Sequence, residues 1–68
     1  MQTIDARGLS CPEPVVLTRN AMASKEDAYE VLVDAAAARE NVTRYAQNQG
    51  YKVSVAEKDG EFTLSITK

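Results

Sequence analysis

The chain has 68 residues, a formal net charge of −2 at pH 7, one cysteine and no histidine. This length predicts a single small domain over residues 1–68. The missing histidine excludes a Cys/His zinc site and a Cys–His catalytic pair within one chain, and a lone cysteine excludes an internal disulfide. Because the chain is acidic and has no basic run, signal peptide or long apolar stretch, we expect a cytoplasmic protein that binds neither nucleic acid nor membrane.

Apolar periodicity and turn residues predict a β-α-β-α-β-β order. The predicted elements are a strand over residues 1–5, a turn over 6–10, a helix over Pro12–Ala23, a strand over Tyr29–Val33, a helix over Ala35–Gln49, and strands over Tyr51–Val55 and Phe62–Ile66. Gly50 is placed to end the second helix, and Asp59-Gly60 is a hairpin signal. This order predicts an α+β two-layer sandwich, with two helices packed on one face of a four-stranded mixed sheet.

Both predicted helices carry an apolar side at helical spacing. In the first helix this side contains Val15, Leu17, Thr18, Ala21 and Met22, and in the second it contains Ala38, Val42, Tyr45 and Ala46. Tyr29 and Phe62 are also predicted to lie in the core. Serine and lysine alternate with apolar residues in the last two strands, which predicts that the other face of the sheet contacts water.

The lone cysteine lies in the segment Cys11-Pro12-Glu13-Pro14. Proline is tolerated in a first helical turn, so the helix is predicted to begin at Pro12 with Cys11 as its N-cap. The positive end of the helix dipole there favours thiolate over thiol. Since Pro14 has no N–H, Glu13 is the main local donor to the sulfur, while its carboxylate opposes the thiolate and Arg7 offsets that charge if the loop folds back.

Other polar residues near this segment have mainly structural interpretations. Asp5 is predicted to accept hydrogen bonds from the backbone of the Gly8 loop, and Gly8 to adopt a positive φ. Asp34, at the end of a strand, can cap the helix that follows. Arg7 is a candidate for contact with an anion or a partner. The second-helix residues Arg39 and Asn41 are candidates for partner binding, although solvent and capping roles are favoured for both.

The cysteine motif closely resembles the signature of the TusA/SirA/YedF family of small sulfur-carrier-like proteins, in the run Asp5-x-x-Gly8-Leu9-x-Cys11-Pro12-x-Pro14. The resemblance continues through residues 31–34, 38–42 and 50–53, so it covers nearly the whole chain. Residues 40–42 and Gly50-Tyr51 are most similar to the YedF branch, which is associated with selenium metabolism. YedF-like proteins usually carry a second domain, so the resemblance also implies that this domain is excised from a longer two-domain protein.

The resemblance implies the same βαβαββ fold and gives Cys11 the role of sulfur acceptor. A cysteine desulfurase-like donor would load a sulfane sulfur onto Cys11, and the persulfide would pass to a downstream thiol acceptor protein. Asp5, Gly8, Pro12, Glu13 and Pro14 would be supporting motif residues. The covalent persulfide would be the only cofactor, no metal is implied, and we expect a monomer.

Two other functions stay open at this point. The first is a binding or regulatory module that docks a partner through the Cys11 loop and the first helix, with an incidental thiol. The second is a sulfurtransferase that turns over a small donor alone, which is the least favoured because the sequence shows neither a base nor an anion pocket. A carrier is favoured over a stand-alone enzyme because the partner sites can supply the proton transfers.

Overall fold

The computed structural model of the protein describes residues 2–10 and 13–68. Its elements are β1 (Gln2–Asp5), α1 (Glu13–Met22), β2 (Ala28–Val33), α2 (Ala36–Asn48), β3 (Lys52–Lys58) and β4 (Glu61–Thr67). The strands form one sheet in the order β1-β2-β4-β3. β1 is parallel to β2, while β4 is antiparallel to both β2 and β3. The predicted two-layer α+β sandwich with a mixed sheet is confirmed.

One face of the sheet forms the core beneath both helices. Alternate residues of the two central strands are buried on this face: Tyr29, Val31 and Val33 of β2, and Phe62, Leu64 and Ile66 of β4. The second helix buries Ala38, Val42 and Ala46 against them, as its spacing predicted. The opposite face carries Lys52, Ser54 and Ser65, all exposed. The prediction of a water-contacting face is therefore confirmed.

The first helix differs from the prediction in its bounds and in one core residue. It runs over Glu13–Met22 among the described residues, whereas Cys11 and Pro12, the predicted N-cap and first helical residue, lie outside them. Leu17 was wrongly assigned to the core, because it is 37% exposed. The buried line instead follows every fourth residue, Pro14, Thr18 and Met22, and the Thr18 hydroxyl donates to the Pro14 carbonyl at 2.8 Å.

The predicted helix stop and hairpin are confirmed by backbone geometry. After α2, Gly50 has φ +89°, its N–H donates to Gln47 O, and the N–H of Tyr51 donates to Ala46 O, each at 3.0 Å. This pair of bonds satisfies carbonyls that the helix end would otherwise leave open. Asp59 and Gly60 both have positive φ, as a two-residue hairpin turn requires. This tight turn lets the two strands pair beyond the predicted segments, from Lys52↔Thr67 to Lys58↔Glu61.

Strand pairing brings several chain segments to one edge of the sheet. Asp5 at the end of β1 pairs with Leu32, and Val33 at the end of β2 pairs with Phe62 near the start of β4. Residues 6–10 and the start of α2 therefore lie at the same edge as Glu61. We call this the turn edge and define it by residues 5–10, Asp34 and Glu61. The opposite edge, formed by residues 23–27 and Gly50–Tyr51, is called the loop edge.

Candidate functional site

The candidate site is the turn between β1 and α1, because the lone cysteine follows it directly in the sequence. The N–H of Ala6 donates to the carbonyl of Leu32 at 2.8 Å, which continues the pairing of β1 with β2 into the turn. Ser10 and Glu13, on either side of residues 11 and 12, are both exposed. The described chain on each side of Cys11 and Pro12 is thus open to an approaching partner.

Within residues 2–10 and 13–68, the Arg7 side chain donates three hydrogen bonds to carboxylates. Its Nε and Nη2 donate to the two carboxylate oxygens of Asp5, each at 2.9 Å, and its Nη1 donates to Glu61 Oε1 at 3.2 Å. The hydrogen bonds from Arg7 lower the pKa of Asp5 to about 2, and those to Asp5 and Glu61 raise the pKa of Arg7. Because two carboxylates already compensate this guanidinium, it is poorly placed to offset Glu13 or to receive a further anion.

The turn backbone is held by two different aspartates, where the sequence interpretation used only one. Asp5 Oδ1 accepts the N–H of Arg7 at 3.1 Å, in keeping with its predicted role in the turn. The N–H of Gly8, however, donates to Asp34 Oδ2 at 2.8 Å. Gly8 has the predicted positive φ, +77°. The end of β2 therefore supplies a support to the turn that the sequence pattern did not reveal.

The interpretation of Asp34 as a helix cap is wrong. The N-cap of α2 is Ala35, which makes no side-chain capping hydrogen bond, and the first turn of α2 contains no acidic residue. Asp34 lies one residue too early, and its carboxylate is engaged by Gly8, 26 positions away in sequence. An aspartate before a helix normally signals capping. Only the parallel pairing of β1 and β2, which sets the two segments side by side, identifies its real partner.

At the start of α1, Glu13 and Pro14 have distinct environments. The N–H of Glu13 donates to Ser10 O at 2.9 Å. This N–H, predicted to serve the cysteine sulfur, therefore already has a partner. The Glu13 side chain is exposed in the first helical turn, where a negative charge is favourable. Pro14 is fully buried and anchors the helix to the core.

Of the two candidates in α2, Arg39 has a defined contact at the sheet. Its guanidinium carbon lies 4.9 Å from the centre of the Phe62 ring, a cation–π arrangement. Arg39 is half-buried, so the favoured solvent role does not describe it, and Asn41 is half-buried as well. Phe62 is the neighbour of Glu61, so Arg39 lies on the helix side of the sheet near the turn edge.

The turn edge as a whole is rich in carboxylates. Asp5, Glu13, Asp34 and Glu61 lie at or next to it, with Arg7 as the cation among them. Glu61 is a member that the sequence interpretation missed, since only its register opposite Lys58 and next to Phe62 places it there. The chain has no imidazole. A thiol at this edge would therefore have no imidazole of its own chain as a general base.

Residues 2–10 and 13–68 contain neither a metal-ligand cluster nor a membrane-spanning helix. Within that part of the chain, no group of three or more Cys, Asp or Glu side chains is arranged to hold a metal ion. No helix among the same residues has the length and apolar character needed to cross a membrane.

Comparison with known proteins places the chain in a family. The family model described as "Sulfurtransferase TusA" matches residues 2–68. A relative from Methanocaldococcus jannaschii, named "Putative sulfur carrier protein MJ0990", is 37% identical over 71 residues, covering 100% of this chain and 95% of the relative. The crystal structure of a SirA-like protein from Desulfitobacterium hafniense is similar with a TM-score of 0.91 and 37% identity, covering 98% of this chain and 96% of that one. The predicted affiliation is confirmed, while the finer YedF assignment stays a prediction, and the chain belongs to the TusA/SirA family of sulfur-carrier-like proteins.

Proposed function

We propose that this protein is a sulfur carrier in which Cys11 cycles between a thiol and a persulfide. The donor is an enzyme of the cysteine desulfurase class, and the acceptor is a protein with a reactive thiolate. The observation that carries the proposal is the position of the lone cysteine, within a Cys-Pro-x-Pro motif in a chain that matches the family model over residues 2–68. The open turn edge supports it, because a carrier thiol must reach into two different partner sites.

The proposed transfer balances without an external oxidant. The Cys11 thiolate attacks the terminal sulfur of the donor persulfide, a new S–S bond forms on Cys11, and the donor S–S bond breaks to release a thiolate. In the second step the acceptor thiolate attacks the terminal sulfur on Cys11, and Cys11 leaves as a thiolate. Both steps exchange one S–S bond for another, so the only further requirement is proton transfer, which the partner sites supply.

The test is to incubate the protein with a cysteine desulfurase and cysteine, and to measure the intact mass without reductant. Cys11→Ser is the matched control, because it replaces the thiol by a hydroxyl of similar shape and removes the sulfur. We expect the wild type alone to gain the mass of one sulfur atom and to lose it on reduction. Replacing cysteine by selenocysteine with a lyase that releases selenium tests whether the cargo extends to selenium.

Two results would contradict the proposal. Equal mass gain on wild type and Cys11→Ser would show that sulfur does not reside on Cys11. No gain on the wild type, together with slow alkylation of Cys11 in the folded protein, would identify a structural thiol and favour the binding-module alternative. In that case charge reversal at Glu13, exposed beside the motif, should weaken partner binding while Cys11→Ser should not.

A further inference from the structure

Asp34 departs from the rule that an aspartate before a helix stabilises that helix. The helix α2 begins after Ala35, whose backbone is extended with φ −133° and ψ 140° and which makes no side-chain capping hydrogen bond. Alanine is a poor N-cap residue, so this end of α2 is less stable than one with a capping side chain. Asp34, the acid nearest to this helix end in sequence, instead accepts a hydrogen bond from the N–H of Gly8. A departure from a local rule without a local gain is typical of a functional constraint.

The contact that Asp34 makes is with the main chain of the cysteine-bearing turn. Its Oδ2 accepts the N–H of Gly8 at 2.8 Å, three residues before Cys11 in the sequence. Gly8 has φ +77°, a conformation that only a few residue types adopt without cost, and nothing lies within 4 Å of the position a Cβ would take. The space beside Gly8 is therefore open, and its N–H is bonded to the carboxylate of Asp34.

The contact that joins the turn to β4 is of a different kind. Arg7 reaches Glu61 through a long side chain, and the side chains of both residues are about half exposed to solvent. Exposed ion pairs of this kind restrain the backbone weakly, since both side chains can move together and water competes for them. A short carboxylate bonded to a backbone N–H fixes the main chain itself. Asp34 thus holds the main chain of the turn at Gly8, as Asp5 holds it at Arg7.

We infer that Asp34 is a positioning residue for Cys11, acting through the Gly8 N–H to hold the turn in the conformation that presents the thiol to its partners. The inference rests on the proposed function, because it assigns Asp34 a part in sulfur transfer. It acts by hydrogen bonding, not by charge. The amide oxygen of asparagine can accept the same hydrogen bond, so Asp34→Asn and Asp34→Ala separate the two effects.

The experiment measures two rates on Cys11 in each variant. One is the rate of persulfide acceptance from a cysteine desulfurase, and the other is the rate of alkylation by iodoacetamide as a function of pH. We expect Asp34→Ala to slow persulfide acceptance about tenfold, as misplaced reacting groups do, and Asp34→Asn to stay within about twofold of the wild type. Asp27→Ala is the control, an exposed aspartate at the loop edge, and should change neither rate.

A loss of folding in Asp34→Ala is handled by a second substitution. Ala35→Asp supplies the cap that α2 lacks, so Asp34→Ala combined with Ala35→Asp should retain a folded chain with an untied turn. A folded double variant with wild-type rates on Cys11 would overturn the inference. So would an Asp34→Asn variant as slow as Asp34→Ala, because it would make the charge responsible.

The two proposals fail in distinguishable ways. If wild-type protein accepts no persulfide, the proposed carrier function fails. The alkylation rates still report whether Asp34 controls the presentation of Cys11. If the wild type is loaded but the alanine variants are loaded equally fast, the carrier function stands and the role of Asp34 is refuted.

Discussion

The two edges of the sheet hold their connecting segments by different interactions, tyrosine hydroxyls at the loop edge and exposed charged side chains at the turn edge. At the loop edge, the buried Tyr29 hydroxyl accepts the N–H of Glu26 at 2.7 Å and lies 3.1 Å from the Ser24 hydroxyl. The Tyr51 hydroxyl donates to the Glu26 carbonyl at 3.2 Å, and the two rings meet edge to face with centres 6.0 Å apart. At the turn edge the side chains that hold the chain are exposed acids and one arginine.

The loop edge therefore contributes mainly to the stability of the fold, whereas the turn edge leaves the segment next to Cys11 accessible to partners. A buried hydroxyl that bonds a backbone group is costly to remove, because its partner is left without water or a replacement. An exposed side chain that bonds the turn leaves it open to solvent, and its loss costs less stability than the loss of a buried hydroxyl. We therefore expect substitutions at the loop edge to lower the free energy of unfolding. Substitutions at the turn edge should act mainly on the chemistry of Cys11.

The largest effect on stability is expected from Tyr29→Phe. Tyr29 has no exposed surface, so the change leaves the N–H of Glu26 without its partner and should lower the free energy of unfolding by about 1–3 kcal/mol. Urea unfolding measures it. Tyr45→Phe is the matched control, a half-buried tyrosine whose hydroxyl has no hydrogen bond among the described residues. A loss no greater than in the control would refute the role given to the hydroxyl.

A smaller effect is expected from Tyr51→Phe. Burial raises the pKa of Tyr51, so its hydroxyl stays protonated and donates to the carbonyl of Glu26. Losing one such bond should cost about 1 kcal/mol, because the half-buried Glu26 carbonyl can recruit water. The double variant with Tyr29→Phe should be non-additive, since both hydroxyls bond the same residue. Strict additivity would show that the two tyrosines hold the loop independently.

The smallest effect is expected at the turn edge, from the pairing of Arg7 with Asp5. The hydrogen bonds from Arg7 hold the folded-state pKa of Asp5 at about 2, below its ordinary 3.8. Their stabilisation is therefore fully present above about pH 4 and is lost as the pH falls toward 2. NMR titration of the carboxyl carbon should show a low pKa in the wild type and a higher one in Arg7→Gln, which keeps only the backbone N–H bond to Asp5.

A control for that titration exists on the surface of α2. Arg44 donates to Glu40 at 3.5 Å, and both side chains are about two-thirds exposed. Arg44→Gln should leave the Asp5 titration unchanged. If Asp5 titrates near 3.8 in the wild-type protein, the pairing with Arg7 does not hold in solution, and the turn would depend on Asp34 alone.

Much of this molecule follows from local chemistry. Alternating apolar residues predict the last two strands. The helix end at Gly50 and the turn at Asp59-Gly60 follow because glycine and aspartate tolerate positive φ. Helical spacing of apolar residues places Ala38, Val42 and Ala46 in the core. Leu17 was misassigned because hydrophobicity and helical spacing placed it on the apolar side together with its neighbour Thr18. The polar threonine takes the buried place because its hydroxyl bonds within its own helix.

The hydrogen-bond partners of the polar side chains depend instead on the tertiary structure. Arg7 and Glu61 are 54 positions apart, and Gly8 and Asp34 are 26 apart, so no window of sequence contains either pair. Periodicity and turn signals report only how each segment folds and which face it buries. Which carboxylate meets which donor at the turn edge depends on strand order and register, which are fixed when the sheet packs against its helices. The sequence could therefore identify the cysteine and its motif. Only the assembled sheet decided that Asp34 accepts a hydrogen bond from the turn at Gly8 and does not cap α2.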